Sequence, residues 1–175
     1  AVTSTITVAD VNDAPVAVND AVTATEDTAF TSSTDLDAND TDPDGDSLSV
    51  TAGTFSTTQS GSLVLAGDGS YTYTPAADFN GADTVDYTVT DGTLTDTGTL
   101  TITVTAVNDA PELSGAGGTL AYSEDDAATV IDASLTIADI DDTDIESASI
   151  TISSGYRSSE DVLAFTNANG ISGAW

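Results

Sequence analysis

Apolar and polar residues alternate along most of this chain. In residues 84–90, Val85, Tyr87 and Val89 fall on one side, and Thr84, Asp86, Thr88 and Thr90 on the other. Residues 99–105 repeat the pattern with Leu100, Ile102 and Val104, and residues 70–75 repeat it with Tyr71 and Tyr73. A period of two carried by β-branched and aromatic residues predicts half-buried strands. No segment carries a 3.6-residue period. Turn-forming pairs separate the runs: Asn19-Asp20, Asp44-Gly45, Gly67-Asp68-Gly69, Asn80-Gly81, Asp91-Gly92 and Asn169-Gly170. The pattern predicts an all-β chain of antiparallel, immunoglobulin-like β-sandwiches.

The chain also repeats itself. TITVADVNDAP at 5–15 returns as TITVTAVNDAP at 101–111, with nine of eleven residues identical and Pro15 and Pro111 separated by 96 positions. That period fits one sandwich per repeat. Glu26-Asp27 follows the first copy and Glu124-Asp125 the second, and Asp40-Thr-Asp42 has a counterpart in Asp139-Ile-Asp141. The expected organisation is a last strand of a preceding repeat at 1–10, a linker at 11–15, a full sandwich at 16–106, a linker at 107–111 and a partial sandwich at 112–175. The SYTYTPAADFNGADTVDYTVTDG segment of the first sandwich has no partner in the second. Two explanations stay open: the segment is a window cut from a longer protein, or a strand donated by another copy completes it.

Composition sharpens the picture. Thirty acidic residues face one basic residue, Arg157, for a formal charge of −29 among 175 residues. Nucleic acid and anionic membrane surfaces are poor partners on charge, and neither nucleic-acid binding nor membrane insertion is expected. A hydrophobic share of 39% is enough to build cores where it is patterned. Cysteine is absent, so no disulfide and no thiolate metal site exists. No apolar run is long enough to span a membrane, and no signal-peptide pattern opens the chain. Histidine is absent too, so serine has no histidine partner for nucleophilic catalysis. Carboxylates are too abundant for any one pair to mark a glycosidase. The chain is expected to be non-enzymatic.

Asp35–Leu48, DLDANDTDPDGDSL, places six aspartates in fourteen residues. Hard cations such as calcium take six to eight oxygens from carboxylates, amides and carbonyls. Three clusters offer them: Asp10-Val-Asn12-Asp13, Glu26-Asp27, and Asp40 with Asp42. Aspartate is also common in turns, where it bonds its own backbone. DTDPDG imitates the start of an EF-hand loop, but Thr51 stands at the twelfth position, where a bidentate glutamate belongs. Asn39-Asp-Thr41 fits a glycosylation sequon.

These motifs resemble a known family. Asp10-Val-Asn12-Asp13-Ala14-Pro15 looks like the inter-domain linker of cadherins, and Asp40-Thr-Asp42 like the ligand pair of the domain that follows it. The set as a whole is similar to the bacterial cadherin-like and VCBS-type tandem repeats of giant surface proteins. The resemblance implies extracellular sandwiches strung end to end, with Ca2+ stiffening the joints. Carried over, Asp10, Asn12, Asp13, Glu26, Asp40 and Asp42 would serve the first joint. Asn108, Asp109, Glu124, Asp139 and Asp141 would serve the second. Ala106 replaces the Asp10 equivalent, so the second joint should hold fewer or weaker ions. Asp91 is expected to reach the second joint.

The leading functional expectation is a calcium-rigidified structural repeat of a large surface or secreted protein, acting as spacer or in adhesion. Its partners are neighbouring repeats of the same chain. One alternative is the protomer of a fibre or surface layer, with identical subunits joined head to tail. Another is a carbohydrate-binding module for cell-surface glycans, using Tyr71, Tyr73, Tyr87, Tyr122, Tyr156 and Trp175. Against that, Tyr87 and one of Tyr71 and Tyr73 are expected to face the core.

Overall fold

The computed structural model describes residues 11–115 continuously, with 3, 6, 7 and 9 before them and 117, 118, 120, 121, 123, 126, 127, 129, 130, 134–145, 147–149, 151 and 157 after them. The chain divides into two units, Ala1–Ala110 and Pro111–Trp175. Every regular element among the described residues is a strand. Among the described residues, no helix is long and apolar enough to cross a membrane.

Among the described residues, the first unit is a β-sandwich of eight strands: β1 (Asp20–Thr25), β2 (Phe30–Thr31), β3 (Ser49–Val50), β4 (Gly53–Ser56), β5 (Ser62–Leu65), β6 (Tyr71–Thr74), β7 (Gly81–Thr90) and β8 (Thr95–Thr105). One sheet has the order β1-β8-β7-β3 and the other β2-β6-β5-β4. The period-two pattern sorts the faces. Val85, Tyr87, Val89, Leu100, Ile102 and Val104 from one sheet meet Leu63, Leu65, Tyr71 and Tyr73 from the other in a single core. The threonines between them face outward, as alternation requires. Tyr71 and Tyr73 are both buried, not one of the pair, because residues two apart on a strand share a face. Asn19-Asp20 is not a turn: Asp20 opens β1, and Asn19 Oδ1 accepts the Thr99 N–H at 2.9 Å.

Tyr87 closes the core at its N-terminal end. Its hydroxyl donates to Asp20 Oδ2 at 2.7 Å and lies 2.9 Å from the Val18 carbonyl. The ring lies over Gly98, its cross-strand partner on β8, where a Cβ would collide with it.

Among the described residues, all strand pairs are antiparallel except one. β1 runs parallel to β8, in register from Asp20↔Leu100 to Thr25↔Thr105. The first and last strands of the unit therefore travel the same way. The chain enters the sandwich at one pole and leaves it at the opposite pole. At ~3.3 Å per residue, the six steps from Asp20 to Glu26 separate the poles by about 20 Å. In the second unit, β9 (Glu112–Ser114) and β10 (Thr136–Ala138) form an antiparallel pair.

Candidate metal centres at the poles of the sandwich

The entry pole gathers the incoming linker and the aspartate-rich loop. Val16 bridges to Thr41, with backbone hydrogen bonds of 2.8 and 3.2 Å. This pairing lays residues 40–42 along the linker. Asp40 Oδ1 accepts the Val18 N–H at 2.7 Å. Asp42 Oδ1 accepts the N–H groups of Asp44 at 2.9 Å and Asp46 at 3.2 Å, folding the DPDGD turn onto itself. Asp13 N–H reaches Asp44 Oδ2 at 2.6 Å, and Asn12 Nδ2 donates to Asp91 Oδ2 at 2.7 Å.

Two oxygens stand out here. Asp40 Oδ2 and Asp42 Oδ2 are shielded from solvent and have no hydrogen-bond partner. Shielded carboxylate oxygens without a donor are unfavourable, and a cation is one group that satisfies them. The Asp40 carboxyl is pushed above the usual range by burial, against the Val18 hydrogen bond, and by the neighbouring charges of Asp20, Asp37 and Asp96. Bound positive charge would reverse that repulsion.

The exit pole gathers the end of β1, the β6–β7 turn and the outgoing linker. Glu26 is 1% exposed. Its Oε1 accepts the Val107 N–H at 2.5 Å and its Oε2 lies 3.5 Å from Asn80 Nδ2. Asp27, Asp78 and Asp109 bring one carboxylate oxygen each to within 4.8 Å of one another, and Glu26 lies within the same distance of Asp109. Asp27 and Asp78 hold φ of 56° and 55°, a left-handed conformation that aspartate adopts more readily than most residues. Asp78 N–H donates to Asp27 Oδ1 at 3.1 Å, which fixes the two turns against each other. Asp27 and Asp78 are exposed and Asp109 is half-buried, and the three carboxylates from separate segments form a hard-oxygen donor set.

The structure sorts the predicted residues differently from the sequence in two places. Glu26 sits with the outgoing linker, not with Asp40 and Asp42, because β1 lies between them. Asp91 sits with Asn12 at the entry pole, not with the second linker, because the β7–β8 hairpin turns at the entry end. Asn12 and Asp13 lie at the entry pole through Asp91 and Asp44, and Asp40 and Asp42 through Val18, Asp44 and Asp46. Asn108 Nδ2 donates to the Asp109 carbonyl at 2.7 Å at the exit pole. Asp139 lies in the second unit, where its Oδ1 accepts the Asp141 and Asp142 N–H groups at 3.1 Å each. Asp10 and Glu124 lie outside the described residues.

Sequence reasoning missed Asp78 and Asp44. Asp44 was hidden in its own aspartate run. Asp78 lies in the PAADFNG turn, where a lone aspartate reads as turn chemistry. As for stacking on sugars, Tyr71, Tyr73 and Tyr87 are all buried, and Tyr122, Tyr156 and Trp175 lie outside the described residues.

Comparison with known proteins adds a family. The model of the bacterial cadherin-like domain matches residues 12–106. A search of curated proteins finds no match. Among solved structures, an endo-fucoidan hydrolase of glycoside hydrolase family 107 is similar at 28% identity and a TM-score of 0.40, over 53% of this chain and 14% of that one. A second structure of that hydrolase, a point variant, gives 27% identity and a TM-score of 0.42, over 57% of this chain and 16% of the other. The chain thus spans less than a fifth of either hydrolase chain.

Proposed function

This chain belongs to the bacterial cadherin-like domain family, and from that premise we propose that it is a calcium-stiffened structural repeat of a large extracellular protein, a spacer or an adhesive stalk and not a catalyst. Entry and exit at opposite poles suit a module strung end to end. Force applied along the string then passes down β1 and β8, the two strands that connect the linkers.

The observation that carries the reading is the exit pole. Asp27, Asp78 and Asp109 converge within 4.8 Å beside the buried Glu26. In a chain of charge −29, a bound cation would relieve the repulsion among these carboxylates. The entry pole supports it through the unpartnered Asp40 and Asp42 oxygens. Calcium at these poles would tie each linker to the sandwich and remove its freedom to swing. Without calcium, the carboxylates repel and the linkers loosen. An affinity of about 10⁻⁴–10⁻³ M suits an extracellular module.

Calorimetric titration of the chain with calcium tests this. The expected result is saturable binding that weakens when Asp27, Asp78 and Asp109 are replaced by asparagine, with magnesium binding more weakly. No binding at millimolar calcium would refute the reading.

A further inference from the structure

One buried carboxylate belongs to neither pole. Asp83 is 0% exposed and occupies a core-facing position of β7, in line with Val85, Tyr87 and Val89. A charge there breaks the apolar pattern, and the fold answers it with five donors. Oδ2 accepts the hydroxyls of Thr57 and, at 2.8 Å, Tyr73. Oδ1 accepts the Thr58 hydroxyl at 2.9 Å and the backbone N–H groups of Gln59 and Thr84 at 2.8 Å. A carboxylate offers about four lone-pair sites, so this one is fully used. None of the donors carries a charge, so the site is not half of an ion pair.

The donors come from both halves of the sandwich. Tyr73 lies on β6, and Thr57–Gln59 form the β4–β5 turn, all belonging to the second sheet, whereas Asp83 lies in the first. The turn is shaped for the task. Ser60 takes φ of 67°, and a Cβ at Gly61 would come within 2.8 Å of Thr57 Oγ1 and 2.9 Å of the Tyr73 ring. Glycine there lets the turn close around the carboxylate. We propose that Asp83 is a metal-independent lock between the two sheets, which keeps the sandwich folded when the poles hold no cation. Cations would then hold the linkers and add to stability by binding the folded state, without being required for the sandwich to fold.

Electrostatics agree with the geometry. Burial pushes the Asp83 carboxyl up, but the hydrogen bonds from Thr57, Gln59, Tyr73 and Thr58 outweigh it and hold the group below the usual range. Tyr73, the one titratable donor, is pushed up by burial and then by its bond to Asp83. The lock is therefore an ionised carboxylate facing neutral hydroxyls at neutral pH. An anion so deep in a core persists only where its hydrogen bonds are complete.

Hydrogen exchange of the β7 amides in the full chain, in chelator and in calcium, tests the proposal. The unaltered chain should keep its β7 protection in chelator. Tyr73→Phe removes one donor and should lower that protection about tenfold to a hundredfold, by a similar factor with and without calcium. Asp83→Ala should lower it further, and Asp83→Asn should fall between Ala and the unaltered chain, since an amide can keep the two backbone N–H contacts. If β7 protection of the unaltered chain collapses in chelator, or if Tyr73→Phe and Asp83→Asn both leave it unchanged, the lock is refuted. The result is separable from cation binding: a chain that ignores calcium can still show the lock.

Discussion

Glu26 and Val107 lie 81 positions apart in sequence, and the Glu26 carboxylate accepts the Val107 N–H at 2.5 Å. The contact ties the end of the first strand to the start of the outgoing linker. Glu26→Ala removes the acceptor and a buried carboxylate at once. It should destabilise the first unit by about 1–3 kcal/mol. It should also weaken calcium binding at the exit pole and spare the entry pole. Urea unfolding and calcium titration of the variant check both effects.

The entry pole rests on a different link. Tyr87→Phe deletes the hydroxyl that joins Asp20 Oδ2 to the core at 2.7 Å. A hydrogen bond to a charged group of this kind contributes about 1.5–3 kcal/mol. The melting temperature should fall accordingly while the strand content seen by circular dichroism stays the same.

Gly98 gives a packing prediction. Gly98→Ala would drive a methyl group into the Tyr87 ring, on a strand paired on both sides. Overpacking of this kind costs about 1–3 kcal/mol. Combining it with Tyr87→Leu, which removes the rigid ring, should make the alanine markedly less harmful. Equal harm in both backgrounds would argue against the contact.

Acid should act in two stages when calcium is absent. Asp37 is raised by burial and by the charges of Asp35 and Asp68, and Asp40 by burial and its own acidic neighbours. Their folded values lie above the unfolded ones, so acidification first protonates them in the folded state, and stability rises. Asp83 is lowered by its hydrogen bonds, and Asp91 and Asp96 by backbone donors. Their contribution is present above the unfolded value of about 3.9 and is lost as pH falls through their lower folded values. The unfolding midpoint in chelator, followed from neutral to strongly acid pH, should pass through a maximum. A monotonic fall from neutrality would contradict this.

Much of the sandwich was legible because alternation is a local signal. The Val85-Tyr87-Val89 and Leu100-Ile102-Val104 runs each announce a strand and its inner face without reference to the rest of the chain. The grouping of carboxylates was not legible, because it depends on direction. Only the parallel pairing of β1 with β8 shows that Glu26 leaves the entry pole behind, and only the β7–β8 hairpin returns Asp91 to it. Asp78 was invisible for a related reason: it matters because the β6–β7 turn folds against Asp27, a contact spanning 51 positions. Asp83 shows the opposite limit. It has the parity of Val85 and Tyr87, but a lone aspartate among 30 acidic residues gives no hint of a satisfied buried charge.

Thermal unfolding of the chain in calcium, in chelator and in magnesium tests the central claim most directly. The account predicts a calcium-specific rise in melting temperature. Replacing Asp27, Asp78 and Asp109 with asparagine should reduce the rise, and adding Asp40→Asn and Asp42→Asn should abolish it. Identical melting in calcium and chelator would show that the carboxylates at both poles are solvated turns, and the account of a cation-stiffened repeat would be wrong.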